Sequence, residues 1–206
     1  MQFLLYYCFI FASIVCYVCG KSSLVATFII RDEEVNLRSN LPLWAQFTDY
    51  FAFLVDYRTI DGSVKAINQI LEPKNISYVI QNYSFSGFGE ARSASLELAY
   101  KHFSKASHVM IADPDWKPSV ETIDKAELDD SALVFRFMVF DRSGETRRYI
   151  DWCLLHRPGL KMRYALHEVL DIGHYAPKRI TWVFHEIEQL GTWHKTVGHG
   201  ELFPHF

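Results

Sequence analysis

Residues 108–115 read His108-Val109-Met110-Ile111-Ala112-Asp113-Pro114-Asp115, a nearly unbroken apolar run that stops at two carboxylates one residue apart. Three runs of the same texture precede it, at residues 24–30, 50–55 and 76–80. Short continuous hydrophobicity suits strands buried on both faces, as in a parallel sheet. Their starts are spaced by roughly the ~30 residues of a strand–helix–strand unit. The segments between them read as helices. Val64, Ile67, Ile70 and Leu71 form a stripe after Asp61, a candidate N-cap, and Ala91, Leu96, Leu98, Ala99 and Phe103 form a broader face. The first half therefore reads as α/β, a Rossmann-like layer structure, and no self-similarity marks a repeat.

Past Trp116 the pattern changes. Pro114, Pro118 and an acidic stretch ending in Asp129-Asp130 lead into a strand-like segment at 133–140. Asp141-Arg142-Ser143-Gly144 reads as a hairpin turn with 149–155 as the partner strand, and 179–187 as a further strand. This predicts a mainly parallel sheet flanked by helices, with a mixed or antiparallel C-terminal extension and no linker. Residues 21–190 are expected to form one domain, and residues 191–206, rich in His and Gly, a C-terminal tail.

A chain of 206 residues suffices for one domain with a substantial core. A 50% hydrophobic and 16% aromatic composition excludes disorder. The net charge of −3, without a long basic run, argues against a nucleic-acid partner. Residues 1–20 contain no charged side chain, and such a run suits a membrane anchor. Val18-Cys19-Gly20 also resembles a signal-peptide cleavage site. Both readings stand, and both predict membrane association or the secretory pathway, with the side of the membrane left open. Cys8, Cys16 and Cys19 lie in that segment, so Cys153 is alone in the folded part and no intrachain disulfide is expected there. Asn75-Ile76-Ser77 and Asn82-Tyr83-Ser84 are glycosylation sequons, in keeping with a lumenal location.

Ligands of open α/β sheets bind at the carboxyl ends of the strands. Asp56 and Asp113 end two of the apolar runs at that edge. Asp113 and Asp115, on a turn leaving a buried strand, are a donor pair for a hard divalent cation shared with substrate phosphates.

Taken in order, these pieces resemble glycosyltransferase family 2, over about residues 24–170. Ile30-Arg31-Asp32-Glu33-Glu34 is similar to the family's first-strand exit, usually Lys-Asn-Glu-Glu. Asp56-Tyr57-Arg58-Thr59-Ile60-Asp61-Gly62-Ser63 resembles its Asp-x-x-Ser-x-Asp-Gly-Thr stretch, and Ala91-Arg92-Ser93 its Ala-Arg-Asn. Asp113-Pro114-Asp115 stands at the metal-binding Asp-x-Asp position, and Arg163-Tyr164 through His167-Glu168 is similar to the His-Glu motif of one branch. The resemblance implies a GT-A fold that binds a nucleotide-diphosphate sugar through Mn2+ or Mg2+. It implies that Asp56 contacts the nucleoside, with Asp61 in the same nucleotide-binding stretch, and that the first-strand exit shapes the base pocket. Arg92 would meet the diphosphate or pair with a nearby acid. Asp113 and Asp115 would share the sugar or ribose and metal roles.

The implied reaction inverts the anomeric carbon, so the acceptor hydroxyl of a glycan, lipid or protein must lose its proton to a carboxylate. Glu168 is the first candidate for that base and Asp171 the second; His167-Glu168 reads equally as a structural pair. The sequence departs from the family at Ser93 and at bulky Tyr57 and Arg58. Many relatives continue beyond the last strand-like run, so the acceptor side is expected to be truncated here. Three rival readings compete with this one. A zinc hydrolase lacks the histidine at helical spacing after His167-Glu168. A nucleotidyltransferase would carry a Gly-rich basic loop where Arg31-Asp32-Glu33-Glu34 is acidic. A non-catalytic protein that keeps the fold remains the alternative.

Overall fold

The computed structural model describes residues 22–164 and 169–187. Residues 1–21, 165–168 and 188–206 lie outside it, and with them the N-terminal apolar segment, Glu168 and the C-terminal tail.

Strands β1 (Leu24–Ile30), β2 (Tyr50–Asp56), β3 (Ser77–Tyr83) and β4 (His108–Ala112) are parallel and lie in the order β3-β2-β1-β4. Their β-branched and aromatic residues favour the pleated backbone, and burial on both faces accounts for the unbroken apolar runs of β1, β2 and β4. Helices α1 (Glu34–Trp44) and α2 (Ser63–Leu71) cover one face, where Leu37, Leu41, Ile67 and Leu71 meet Phe28, Phe51 and Phe53. Helix α3 (Phe88–Phe103) covers the other, with Ala91, Leu96 and Leu98 against Val25, Leu54 and Ile111. Right-handed crossovers require this division, because the chain steps outward from β1 to β3 and then returns past β1 to β4.

Beyond β4 the expected mixed extension is present. β7 (Arg147–Leu155) runs antiparallel to β4, and β6 (Val134–Phe140) antiparallel to β7. β10 (Lys178–Glu186) runs parallel to β6, and β5 (Trp116–Pro118) closes the far edge antiparallel to β10. The full order is β3-β2-β1-β4-β7-β6-β10-β5. A separate two-stranded pair, β8 (Met162–Arg163) with β9 (Val169–Leu170), packs on α3. Gly89 in α3 permits that approach, since a Cβ there would lie 2.2 Å from the Tyr164 carbonyl oxygen.

Three details differ from the sequence reading. β3 is the outer edge strand, with Ser77, Gln81 and Asn82 exposed, because it has a neighbour on one side only. Asn75 and Asn82 of the two sequons are both exposed beside this edge. At the start of α2 Asp61 accepts the Ser63 N–H at 2.9 Å, but the residue in the cap position is Gly62. β5, β8 and β9 were not anticipated: at two or three residues each, they are too short to carry a period. Among the described residues no helix is long and apolar enough to cross a membrane.

Trp44, fully buried, joins the halves of the sheet. Its ring meets Phe28 edge-on at 5.3 Å and stacks on Phe184 at 5.1 Å, and its indole N–H donates to the Trp116 carbonyl at 3.0 Å. Trp44→Ala is therefore expected to cost ~3–5 kcal/mol through lost packing. Trp44→Phe, which keeps most ring contact and loses the hydrogen bond, is expected to cost ~1–3 kcal/mol. Urea unfolding with an unchanged slope would measure both. Equal losses in the two variants would contradict the dominance of packing.

Candidate functional site

The strand order reverses between β1 and β4, so the loops leaving their carboxyl ends diverge and open a crevice, the usual ligand position in such sheets. Three segments meet at this edge: residues 31–33 after β1, 56–62 after β2 and 113–115 after β4. The last is held from below. The Asn40 side-chain amide donates to the Pro114 carbonyl at 2.8 Å, and the Trp116 N–H donates to the Asp113 carbonyl at 3.1 Å, closing the turn.

Arg92, buried in α3, reaches across to Asp113 at 3.1 Å. Its guanidinium lies 4.1 Å from the ring centroid of Trp152 on β7, a close cation–π contact. Of the two readings of this arginine, pairing with a nearby acid is what the geometry holds, and the acid is Asp113. Glu90 instead accepts the Ser86 hydroxyl.

The exit of β1 is locked to the β2–α2 loop. Asp32 adopts a positive φ of 53°, a backbone region that aspartate tolerates. Its carboxylate accepts the N–H groups of Ile60 at 2.8 Å and Asp61 at 3.3 Å. Asp61 accepts from the Glu34 N–H at 2.8 Å and from the Ser63 hydroxyl at 2.5 Å. Gly62 donates its N–H to the Glu34 carboxylate at 3.0 Å, and a Cβ at this position would lie 2.4 Å from that carboxylate. A larger residue here would require the Glu34 carboxylate, the movable end of its side chain, to shift.

Glu33 is buried, 4% exposed, and its carboxyl is pushed up to about 8. Burial is the main cause. The Asn36 amide, which donates to it at 2.6 Å, opposes the rise, while the charges of Asp115, Asp113 and Asp61 add to it. At neutral pH Glu33 therefore carries its proton. Asp56, 3% exposed, shows the opposite balance. Burial pushes its carboxyl up, but the hydrogen bonds and charge of Arg58, with the charge of Arg31, hold it below the ordinary value. Arg58 engages Asp56 through its N–H and Nε at 2.9 Å each and through Nη2 at 2.5 Å.

Asp56, Arg92, Asp113 and Asp115 thus lie together along the carboxyl edge. Asp61 is at the same edge, but its oxygens are bonded to the turn that opens α2. Asp171 follows β9, where its carboxylate pairs with Arg163 at 2.6 Å. Glu168 lies outside the described residues. Sequence reasoning missed the buried state of Glu33, the anchoring by Asn40 and the stacking of Trp152. Glu33 had a local signal, an acid directly after a buried strand. The other two had none.

Among the described residues, no three His, Cys, Asp or Glu side chains converge as a ready-made metal site. Among the described residues, the carboxylates that a cation here would take are those of Asp113 and Asp115. That donor set fits Mg2+ or Mn2+ completed by phosphate and water oxygens, and does not fit a closed protein cage.

Architecture and site together define a Rossmann-like α/β protein whose acids and arginines gather at the topological switch point. No family model matches the sequence, and no curated protein matches it. Among solved structures the chain is similar to the inositol-1-phosphate CTP transferase from T. maritima, with a TM-score of 0.54 and 10% identity, covering 83% of this chain and 91% of that chain. The likeness establishes the fold.

The state of Glu33 makes a prediction about stability. Its folded pKa lies above the ordinary 4.5, so its contribution is fully present below pH 4.5 and is lost as pH rises towards 8. Glu33→Gln cannot titrate. The stability of the variant relative to wild type should therefore rise across that window, by up to about 1.4 kcal/mol per pH unit. Urea denaturation at intervals between pH 5 and pH 8 would test it; a constant difference would mean that Glu33 is ionised in the folded protein.

Proposed function

We propose that the chain is a glycosyltransferase that takes a nucleotide-diphosphate sugar as donor and transfers the sugar, with inversion, to an acceptor hydroxyl. The observation that carries this reading is the gathering of Asp113, Asp115, Arg92 and Asp56 at the β1–β4 switch point. The ordered resemblance of the sequence to glycosyltransferase family 2 supports it, and so does the fold.

The residues divide the work as follows. Arg92, oriented in advance by Asp113 and Trp152, presents a fork of donors suited to a phosphate oxygen. Asp113 and Asp115 would hold the divalent cation, which supplies positive charge against the leaving diphosphate. Asp56 would accept from the nucleoside, and for this Arg58 must release or share its carboxylate. That requirement gives a physical meaning to the departure from the family's small residues at this place. On the acceptor side Glu168 remains the first candidate base. Asp171 is less suited, because it would have to break its pair with Arg163 to take a proton. If residues 1–20 serve as anchor or signal, the domain acts at a membrane or in the secretory pathway.

A second reading is nucleotidyl transfer, favoured by the fold likeness to a CTP transferase. The acidic Arg31-Asp32-Glu33-Glu34 stretch, where a basic phosphate-binding loop would be needed, weighs against it.

Calorimetry on the full chain with a panel of nucleoside diphosphates, with and without Mn2+, separates these readings. Metal-dependent binding of at least one diphosphate is expected, weakened about tenfold or more (~1.4 kcal/mol) by Asp115→Asn. Release of pyrophosphate from a nucleoside triphosphate and a sugar phosphate would instead favour nucleotidyl transfer. A folded protein that binds no nucleotide would end both.

A further inference from the structure

A second concavity, of about 430 Å³, lies beside the site. β7 runs antiparallel to β4 with Met110 opposite Cys153, so residues 147–150 overhang the carboxyl end from which Asp113 and Asp115 depart. The overhang forms one side of the groove, through Arg148 and Tyr149. Trp116, directly after Asp115, forms the floor beneath Trp152, with ring centroids 5.6 Å apart and planes at 18°. Tyr175 closes another side. Trp152 belongs to both places: it lines the groove and carries the Arg92 guanidinium that holds Asp113.

The polar groups of this groove are fixed in advance. Asp151 accepts from Arg136 Nε at 2.5 Å and Nη2 at 2.7 Å, and from the Tyr175 hydroxyl at 3.4 Å. A carboxylate has about four acceptor positions, so one remains for a ligand. Arg148 is anchored to Glu186 and still about half exposed. The exposed ring of Tyr149, which carries the Arg179 guanidinium at 4.6 Å, and the half-buried Trp152 and Tyr175 stand beside one oriented carboxylate and one guanidinium, in a volume within the ~300–1,000 Å³ of small-molecule sites. A pyranose presents the matching surfaces: an apolar C–H face for a ring and a rim of hydroxyls for a carboxylate and a guanidinium. A lipid tail could lie against Ile150, Val169 and Leu170, but it would offer nothing to the remaining acceptor position of Asp151 or to the exposed part of the Arg148 guanidinium.

We propose that this groove seats a saccharide unit, and that the acceptor of the transfer is therefore a glycan. The proposal rests on the reading of the strand-end site as the donor site.

The test uses the full chain and saturation-transfer NMR with lactose, maltose, cellobiose and N,N′-diacetylchitobiose, with and without a nucleoside diphosphate and Mn2+. At least one disaccharide should bind, at ~millimolar affinity. Tyr149→Ala should weaken it about tenfold, and Tyr175→Phe should weaken it less, while nucleotide affinity in both variants stays at the wild-type value. Tyr149 is 42% exposed, so its loss should leave the fold intact. A protein that binds nucleotide but none of the disaccharides overturns the groove proposal and leaves the donor reading standing. Disaccharide binding indifferent to Tyr149→Ala also overturns it, by placing the sugar elsewhere. Disaccharide binding without any nucleotide binding supports the groove and removes its role as acceptor site.

Discussion

Two hydrogen bonds from α1 fix the turn on which the candidate site depends. Asn40 donates to the Pro114 carbonyl and the Trp44 indole to the Trp116 carbonyl, so both bonds end within the segment that carries Asp113 and Asp115. Backbone carbonyls leaving a buried strand have lost water and need partners. Side chains of α1 supply them because the helix is already seated by Leu37, Leu41 and Trp44 in the aromatic core. The helix also starts at Glu34, directly after the β1 exit. One packed element therefore positions both lips of the crevice, and the precision of the site is inherited from the core.

The acids at this edge then separate by what they are bonded to. Asp32, Glu34 and Asp61 accept backbone N–H groups that hold the β2–α2 loop against the β1 exit. Asp56 is engaged by Arg58, and Glu33 is buried and protonated at neutral pH. Without that neutralisation, three like charges close by would destabilise the fold. In the proposed function the Asp113–Asp115 turn with Arg92 meets the ligand, a modest net charge that a cation and a diphosphate would balance between them.

Much of this was legible in the sequence, for a physical reason. Strands buried on both faces write themselves as continuous apolar runs, and an acid after such a run must emerge at the carboxyl edge. Asp56 and Asp113 were therefore placed correctly by local order alone. β3 shows the limit, since an apolar run of similar length became a half-exposed edge once its only neighbour was β2. Asn40, Trp44 and Trp152 were not legible because their partners lie far along the chain, 72 and 74 residues away for the two α1 bonds. Arg58 was visible as a bulky departure, but that it would close over Asp56 was not. The pairing of Asp171 with Arg163 came from a hairpin too short to have a period.

The same carboxyl edge serves glycosyl and nucleotidyl transfer, since both reactions begin by holding a phosphate chain. The difference lies in the loop after the first strand. A triphosphate needs positive charge and open backbone N–H groups there, as anion sites of this kind do. In this chain the loop offers a buried Glu33, whose N–H already donates to Ser63 at 2.8 Å, and an Asp32 bonded to the opposite loop. Only Arg31 among these residues is a cation, and its field already acts on Asp56. Meanwhile Arg92 is held between Asp113 and Trp152, so a phosphate approaching it competes with Asp113, and that competition is eased when a cation takes the aspartate. In the proposed function, donor phosphate and metal would thus be coupled through one guanidinium.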